Sequence, residues 1–274
     1  MLYNEGMADW DKITSSGNVQ DRRGLSRAGV GGLGVTGILL LMGVTYLMGG
    51  NPLDVLQQVD VNQLTAPQVN STEFEGRDSY EKFVSSVLGS TNDYWKETLK
   101  NTDTPYVPPT LVLFRGYTES GCSGASSAVG PHYCPLDATI YLDETFFEEL
   151  TTRLGAQGGD VAEAYVIAHE VAHHVQNLTG TIGEGRESNA DSVRIELQAD
   201  CYAGLWANSL RDQGIFEPNE ITEAMNAASA VGDDSIQTKT EGQIHPESWT
   251  HGSSEQRVGA FTTGYDSGDF SKCQ

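Results

Sequence analysis

The chain has 274 residues, enough for one domain with a sizeable hydrophobic core and some additional segments. It carries 38 acidic residues against 16 basic ones, which gives a net charge of −22. Such a charge argues against nucleic acid or an anionic membrane surface as a binding partner. We therefore predict no nucleic-acid binding, whereas the composition by itself indicates neither a substrate nor an oligomeric state.

The first fifty residues contain a long apolar stretch. Residues 28–48 carry no charged side chain, and this is about the length of a helix that crosses a ~30 Å hydrocarbon core. Arg22, Arg23 and Arg27 precede it and no basic residue occurs in 51–76, so the positive-inside rule predicts a cytoplasmic N-terminus. A cleaved signal peptide is the alternative. We expect a cytoplasmic segment, a transmembrane signal anchor, a polar linker and an extracytoplasmic domain, at residues 1–27, 28–50, 51–76 and 77–274.

Residue patterns after the linker predict a mainly helical α+β fold with a small sheet. Strands are expected at 111–114 and 139–142. A capping-box pattern starts one helix, with Asp160 as the cap and Glu163 three residues later. The helices are predicted, in chain order, at 78–88, 92–100, 144–154, 160–180, 190–211, 219–231 and shortly after Ser254.

The helix predicted over residues 160–180 contains an H-E-x-x-H motif from His169 to His173. Residues four apart lie one turn apart on the same helix face, so both imidazoles can bind one Zn²⁺. Glu170 lies between them and can take a proton from a water that the zinc activates. The alternative is that these three side chains are hydrogen-bonded core residues that bind no metal. This helix is apolar almost all round, however, and burying these side chains there would be costly without a bound ion.

Two histidines leave a catalytic zinc one protein ligand short. The position six residues after His173 is Thr179, so a third histidine is missing there. Glu196 on the next predicted helix is the candidate third ligand. Asp200, one turn further on, could hydrogen-bond the outer nitrogen of a ligating histidine. An exposed acidic helix face is the alternative for these two carboxylates.

Three further histidines and an arginine have candidate roles of their own. His251 could donate a hydrogen bond to the oxyanion that forms when water adds to a carbonyl, and it is predicted as catalytic. Arg257 could do the same or pair with an acidic residue, and a capped surface turn is the alternative for both. His245 is a weaker candidate. His174 points about 100° away from the His173 face and is predicted to be structural.

The four cysteines allow three pairings, and spacing alone does not select one. Cys122 and Cys134 bracket a loop rich in small residues, where a local disulfide is plausible. Cys201 and Cys273 could then join the C-terminal tail to a helix. A buried free thiol is the alternative for Cys201.

The chain resembles the family of putative neutral zinc metallopeptidases, which are bacterial and membrane-anchored and have gluzincin-type metal ligation. The matching stretches are Asn18–Gly24, Ser120–Cys122, Tyr133–Pro135, Ala164–Gln176, Glu196–Gly204 and His251–Arg257. The resemblance implies His169, His173 and Glu196 as ligands of one zinc ion and Glu170 as the catalytic base. It also implies a zincin-like domain, in which a peptide lies along a sheet edge, and residues 139–142 are our candidate for that edge.

These features together predict a zinc-dependent endopeptidase that hydrolyses peptide bonds in proteins or peptides outside the cytoplasmic membrane. The alternative is a non-catalytic, membrane-anchored binding module. Its structural zinc would be closed by a fourth protein ligand, such as His245 or His251. A hydrolase that acts on another class of substrate is a third possibility. Glu170 favours the enzyme, since a closed zinc site needs no buried base.

Overall fold

The computed structural model describes residues 8–23, 72–73, 78–126, 129–182, 188–217 and 219–274. The strands are β1 (Val19–Asp21), β2 (Thr72–Glu73), β3 (Thr110–Phe114), β4 (Tyr117–Ser120), β5 (Ser123–Ser126), β6 (His132–Cys134) and β7 (Thr139–Asp143). The α-helices are α1 (Ser79–Leu99), α2 (Phe146–Thr152), α3 (Asp160–Leu178), α4 (Asn189–Leu210), α5 (Ile221–Ala230), α6 (Asp233–Thr240) and α7 (Ser254–Ser267). The fold is mainly helical with a small mixed sheet, in agreement with that part of the predicted fold class.

The main sheet has the strand order β2-β1-β3-β7-β6, and β4 and β5 form a separate hairpin. β3 pairs in parallel with β1 and β7, whereas β6 pairs with β7 antiparallel. Residues 139–142 are therefore not a free edge, because β7 has a partner on each side. The edge prediction was wrong for these residues, and the edge strand on this side is β6. All five residues of β7 are buried, since both faces of this strand are covered.

Helix α1 is one continuous helix where the sequence suggested two. Asp78 caps it by accepting a hydrogen bond from the backbone N–H of Glu81. Gly89 lies inside the helix at a position where a β-carbon would overlap the backbone of Ser15 and Ser16. The glycine therefore serves a close backbone contact rather than a break between two helices.

Helix α3, which contains the H-E-x-x-H motif, packs against α1, α4 and α5. The predicted capping box at its start was wrong: Gly159 is the N-cap, and Asp160 is the first helical residue. The Asp160 carboxylate instead accepts hydrogen bonds from the backbone N–H of Ala8 and the indole N–H of Trp10, at 2.9 and 2.5 Å. The carboxylate thus accepts hydrogen bonds from an N-terminal segment distant in sequence instead of capping its own helix.

Helices α4 and α7 cross at very short range. A β-carbon on Gly204 would overlap the carbonyl oxygen of Phe261, and one on Gly264 would overlap that of Cys201. Both predicted disulfides are confirmed: Cys122 is bonded to Cys134 and Cys201 to Cys273. The second disulfide ties the C-terminal tail to α4.

The predicted signal anchor at 28–50 lies outside the described residues, as does the predicted linker apart from Thr72–Glu73. In the part of the chain that the structure describes, no helix combines the length and the apolar character needed to cross a bilayer. The longest ones, α1, α3 and α4, all carry charged side chains. The transmembrane part of the predicted fold class is therefore not supported.

The predicted membrane topology was also wrong, because residues 8–23 fold together with the helical domain. Val19 is fully buried, and β1 lies in the sheet between β2 and β3. Arg23, at the end of this segment, forms ion pairs with Asp78 and Glu81 at 2.8 Å. Chain segments that pair directly lie on one side of a bilayer. This contradicts a single-pass protein with a cytoplasmic N-terminus and an extracytoplasmic domain.

Candidate active site

The structure brings His169, His173 and Glu196 together as a group that could hold a metal ion. His169 and His173 lie one turn apart on α3, and Glu196 projects toward them from α4. His169 Nε2 is 3.1 Å from His173 Nε2 and 3.2 Å from Glu196 Oε2, and His173 Nε2 is 3.5 Å from the same oxygen. Zinc bonds of ~2.0–2.2 Å in a tetrahedral site imply ligand atoms roughly 3.3–3.6 Å apart. One of the three distances lies within this range and the other two fall just below it, so the atoms are close to the spacing that one zinc ion requires.

The outer nitrogens of the two histidines contact other side chains, and both Nε2 atoms face the centre of this group. His169 Nδ1 is 2.8 Å from Asp200 Oδ1, and His173 Nδ1 is 2.9 Å from Gln176 Oε1. Both of these oxygens are acceptors and therefore favour a proton on each Nδ1, so that each Nε2 is left to offer its lone pair to a metal ion when one is bound. Two imidazole Nε2 atoms and a carboxylate oxygen thus converge on one point. Such an arrangement suits a bound metal cation.

The pKa shifts of the site describe the balance of charge in the metal-free protein. Burial would lower the pKa of His169, but the negative charge of Asp200 and hydrogen bonds to Asp200 and Glu196 raise it to about 10. Burial would raise the pKa of Glu196, but the charge of His173 and hydrogen bonds to both histidines hold it well below its usual value. The site therefore stabilises positive charge at His169 and negative charge at Glu196.

Asp200 lies at the centre of a buried ion-pair network behind His169. Arg257 donates to it from Nε at 2.8 Å and from Nη2 at 2.9 Å, and the Tyr165 hydroxyl donates at 2.6 Å. Arg257 thus pairs with an acidic residue, the second of the two roles considered for it. Asp200 and Arg257 are at most 4% exposed, so this bidentate pair fixes the orientation of Asp200 toward His169.

Glu170 lines a cleft of about 440 Å³ together with His169, His173 and Glu196. Its side chain is buried like those of His169 and Glu196. Apolar residues also line the cleft, among them Phe146, Leu154, Val231 and Ile236. An open cleft beside the three converging atoms leaves room for a substrate and a water.

His251 lines the same cleft, but it is held differently from the candidate ligands. Its Nδ1 is 3.2 Å from Asp233 Oδ1. The other carboxylate oxygen of Asp233 accepts the backbone N–H groups of Thr250, His251 and Gly252 at 2.7 to 2.9 Å. Among the residues that the structure describes, the metal-binding group contains neither His251 nor His245. A fourth protein ligand, which a closed structural site needs, is thus not part of it.

His174 has the structural role that its position on α3 predicts. Its two ring nitrogens lie 3.0 Å from the Tyr133 hydroxyl and 2.6 Å from the Val107 carbonyl oxygen. Burial lowers the pKa of His174, which favours the neutral ring.

Three residues of the site were missed in the sequence. Tyr165 and Gln176 lie on α3, one turn before His169 and one turn after His173, so the helical period could have indicated both. A buried glutamine in an apolar helix is a further signal, because its amide needs partners. Asp233 could not be found in this way, since α6 was not predicted.

The fold and the site define a mainly helical protein with a candidate metal centre made by an H-E-x-x-H helix and a glutamate from the next helix. The chain belongs to the family described as putative neutral zinc metallopeptidase, whose family model matches residues 8–274.

It is 39% identical over 279 residues to the uncharacterized protein YpfJ of Escherichia coli (strain K12), covering 96% of this chain and 97% of the relative. It is also 42% identical over 247 residues to the uncharacterized protein Rv2575 of Mycobacterium tuberculosis (strain ATCC 25618 / H37Rv), covering 83% of each. No solved structure is significantly similar to the chain.

Proposed function

We propose that the protein is a zinc-dependent endopeptidase, with His169, His173 and Glu196 as the metal ligands and Glu170 as the catalytic base. The observation that carries the proposal is the convergence of three acceptor atoms beside Glu170 in an open cleft. A bound zinc ion polarises a carbonyl group and lowers the pKa of a water molecule to near neutrality. The family name supports zinc as the metal and a peptide or protein as the substrate.

Glu170 moves the proton in this mechanism. Its carboxylate accepts a proton from the water as the water attacks the scissile carbonyl, and it then gives that proton to the leaving amide nitrogen. The surrounding apolar helix restricts bulk water, which could otherwise compete as a proton acceptor. Asp200 holds His169 in the tautomer whose Nε2 faces the cleft, and Arg257 keeps Asp200 in place.

His251 is proposed to stabilise the oxyanion that develops on the scissile carbonyl. Asp233 orients the ring by accepting from Nδ1 and from the backbone around it. The Thr250 hydroxyl lies 3.0 Å from the same Nδ1 and also contacts the ring. Asp233 is thus a positioning residue for His251.

The substrate is proposed to be an extended peptide along the outer edge of β6. This strand is at the end of the sheet, and residues 130–133 and Pro135 line the cleft. A free strand edge offers backbone hydrogen bonds to a peptide of any sequence. The apolar walls at Phe146, Leu154, Val231 and Ile236 favour peptides with an apolar side chain next to the scissile bond.

The test compares the full chain with Glu170→Gln in zinc content and in cleavage of a peptide library. Both proteins should bind one zinc ion, and the substitution should lower kcat/KM by roughly 10²- to 10⁴-fold, because general-base catalysis contributes about that much. Glu97→Gln, on the exposed surface of α1, is the matched control and should retain full activity. Wild-type protein without zinc, or cleavage by Glu170→Gln at the wild-type rate, would refute the proposal.

A further inference from the structure

A chain of side-chain amides, one of them fully buried, connects His173 to the C-terminal tail. We propose that Gln176 and Gln198 are positioning residues for His173, and that through them the tail, tied down by the disulfide between Cys201 and Cys273, sets the metal affinity. The inference rests on the proposed role of His173 as a metal ligand. It adds a structural determinant that neither the H-E-x-x-H motif nor the third ligand contains.

The first step is the orientation of the Gln176 amide. Its Nε2 donates to the Ile195 carbonyl oxygen at 2.8 Å and to Gln198 Oε1 at 2.9 Å. Its Oε1 therefore faces His173 Nδ1, at 2.9 Å. A flipped amide would place an oxygen against two other oxygens and an NH₂ group against the N–H of His173. Because Gln176 is fully buried, water cannot replace these partners.

The second step connects this amide to the tail. Gln198 has Oε1 toward Gln176, and its own Nε2 donates to the carbonyl oxygen of Cys273 at 3.0 Å. Cys273 is disulfide-bonded to Cys201 on α4, one turn after Gln198. The disulfide thus holds the acceptor that fixes the Gln198 amide, and Gln198 in turn fixes Gln176.

The two histidines consequently depend on different kinds of outer partner. His169 faces the carboxylate of Asp200, which a buried arginine holds from behind. His173 faces a neutral amide, and the chain of neutral hydrogen bonds behind it ends at the backbone of the tail. Neutral hydrogen bonds are roughly half as strong as charge-assisted ones. The orientation of the His173 ring is therefore the part of the site that responds to the tail.

The first experiment measures the zinc dissociation constant by competition with a chromophoric chelator. Gln176→Met keeps the length of the side chain and removes its hydrogen bonds, so we expect binding about 10- to 100-fold weaker than wild type. Gln198→Met should weaken it about 2- to 10-fold, as expected for the loss of one hydrogen bond. The matched control is Gln213→Met, an exposed glutamine just beyond α4, which should bind zinc as wild type does.

The second experiment tests whether the tail acts through Gln198. Removing the disulfide with Cys201→Ala/Cys273→Ala should weaken zinc binding in the wild-type background and have no further effect in Gln198→Met. The visible absorption of the Co²⁺-substituted protein should shift with Gln176→Met and stay unchanged with Gln213→Met. A role in stability alone would change urea unfolding of the metal-free protein without moving that spectrum.

Wild-type zinc affinity in Gln176→Met would overturn the positioning role. Equal effects of the disulfide variant in both backgrounds would overturn the connection to the tail. In either case a wild-type protein that binds zinc and cleaves peptides leaves the proposed function standing. Wild-type protein that binds no zinc refutes the proposed function first and the present inference with it.

Discussion

Replacing Asp200 by asparagine tests the buried network behind the candidate metal site. Asp200 is inaccessible to solvent and receives two hydrogen bonds from Arg257 and one from Tyr165, while His169 Nδ1 lies 2.8 Å from it. Asparagine has nearly the same shape, but it carries no charge and only one acceptor oxygen. If that oxygen takes the place of Oδ1, the new NH₂ group faces the Nε–H of Arg257.

The expected loss of stability follows from the charge left behind. Removing one partner of a buried ion pair typically costs about 3–5 kcal/mol, because the other charge stays buried without compensation. The total free energy of unfolding of a domain is about 5–15 kcal/mol. Asp200→Asn should therefore remove a large part of the stability of the metal-free protein.

The sign of the pH effect follows from the pKa of Asp200. Burial would raise this pKa, but the charges of Arg257 and His169 lower it from 3.8 to about 2. The stabilisation by Asp200 is thus fully present above pH ~4 and is lost as the pH falls through about 2. The assay at pH 7 measures its full contribution.

The assay is urea unfolding of chelator-treated protein at pH 7. The control is Asp266→Asn, which removes the partner of Arg211 from a largely exposed pair at 3.4 Å and should change stability by less than about 1 kcal/mol. If Asp200→Asn and Asp266→Asn were destabilised equally, the assignment of Asp200 as the essential counter-charge of Arg257 would be refuted.

Two further substitutions test the packing and the pH dependence. Burial raises the pKa of Glu163 from 4.5 to about 7. The folded state therefore keeps this proton to a higher pH than the unfolded state does, and the protein loses stability as the pH rises from 4.5 to 7. Glu163→Gln should remove this loss, which is at most about 3 kcal/mol. If the free energy of unfolding in urea differed between pH 5 and pH 8 by as much in the variant as in wild type, the prediction would be contradicted. Gly204→Ala should lower stability by about 1–3 kcal/mol or more, because the new methyl group meets the Phe261 carbonyl oxygen. Gly259→Ala, where a β-carbon meets no other atom, should be neutral or stabilising in urea unfolding. Equal losses of stability in both variants would exclude the close contact as the cause.

Local sequence patterns predicted the candidate metal group because its geometry is mostly local. The spacing of His169 and His173 follows from the helical period, and two carboxylates in an apolar helix indicated Glu196 and Asp200. The same patterns failed where distant residues decide the structure. The capping pattern at Asp160 was overridden by an N-terminal segment some 150 residues away in sequence.

Strand β1 shows the same limit more clearly. It has three residues and no alternating pattern of its own, and it becomes a strand because β3, about 90 residues later, provides its partner. A short strand of this kind has no local signal. The apolar stretch after it predicted a membrane anchor with a cytoplasmic N-terminus. The pairing of β1 with β3 contradicts that topology.

The docking of the N-terminal segment has a consequence for the order of folding. β3 and α3 leave the ribosome long after residues 8–23, so this segment can dock only late in folding although it is synthesised before its partners. Contacts so far apart in sequence slow folding more than they reduce stability. Until β1 docks, β3 has an open edge that can pair with another chain. A chain shortened to begin at residue 77 keeps all three candidate metal ligands, yet it loses the strand that covers this edge and should aggregate.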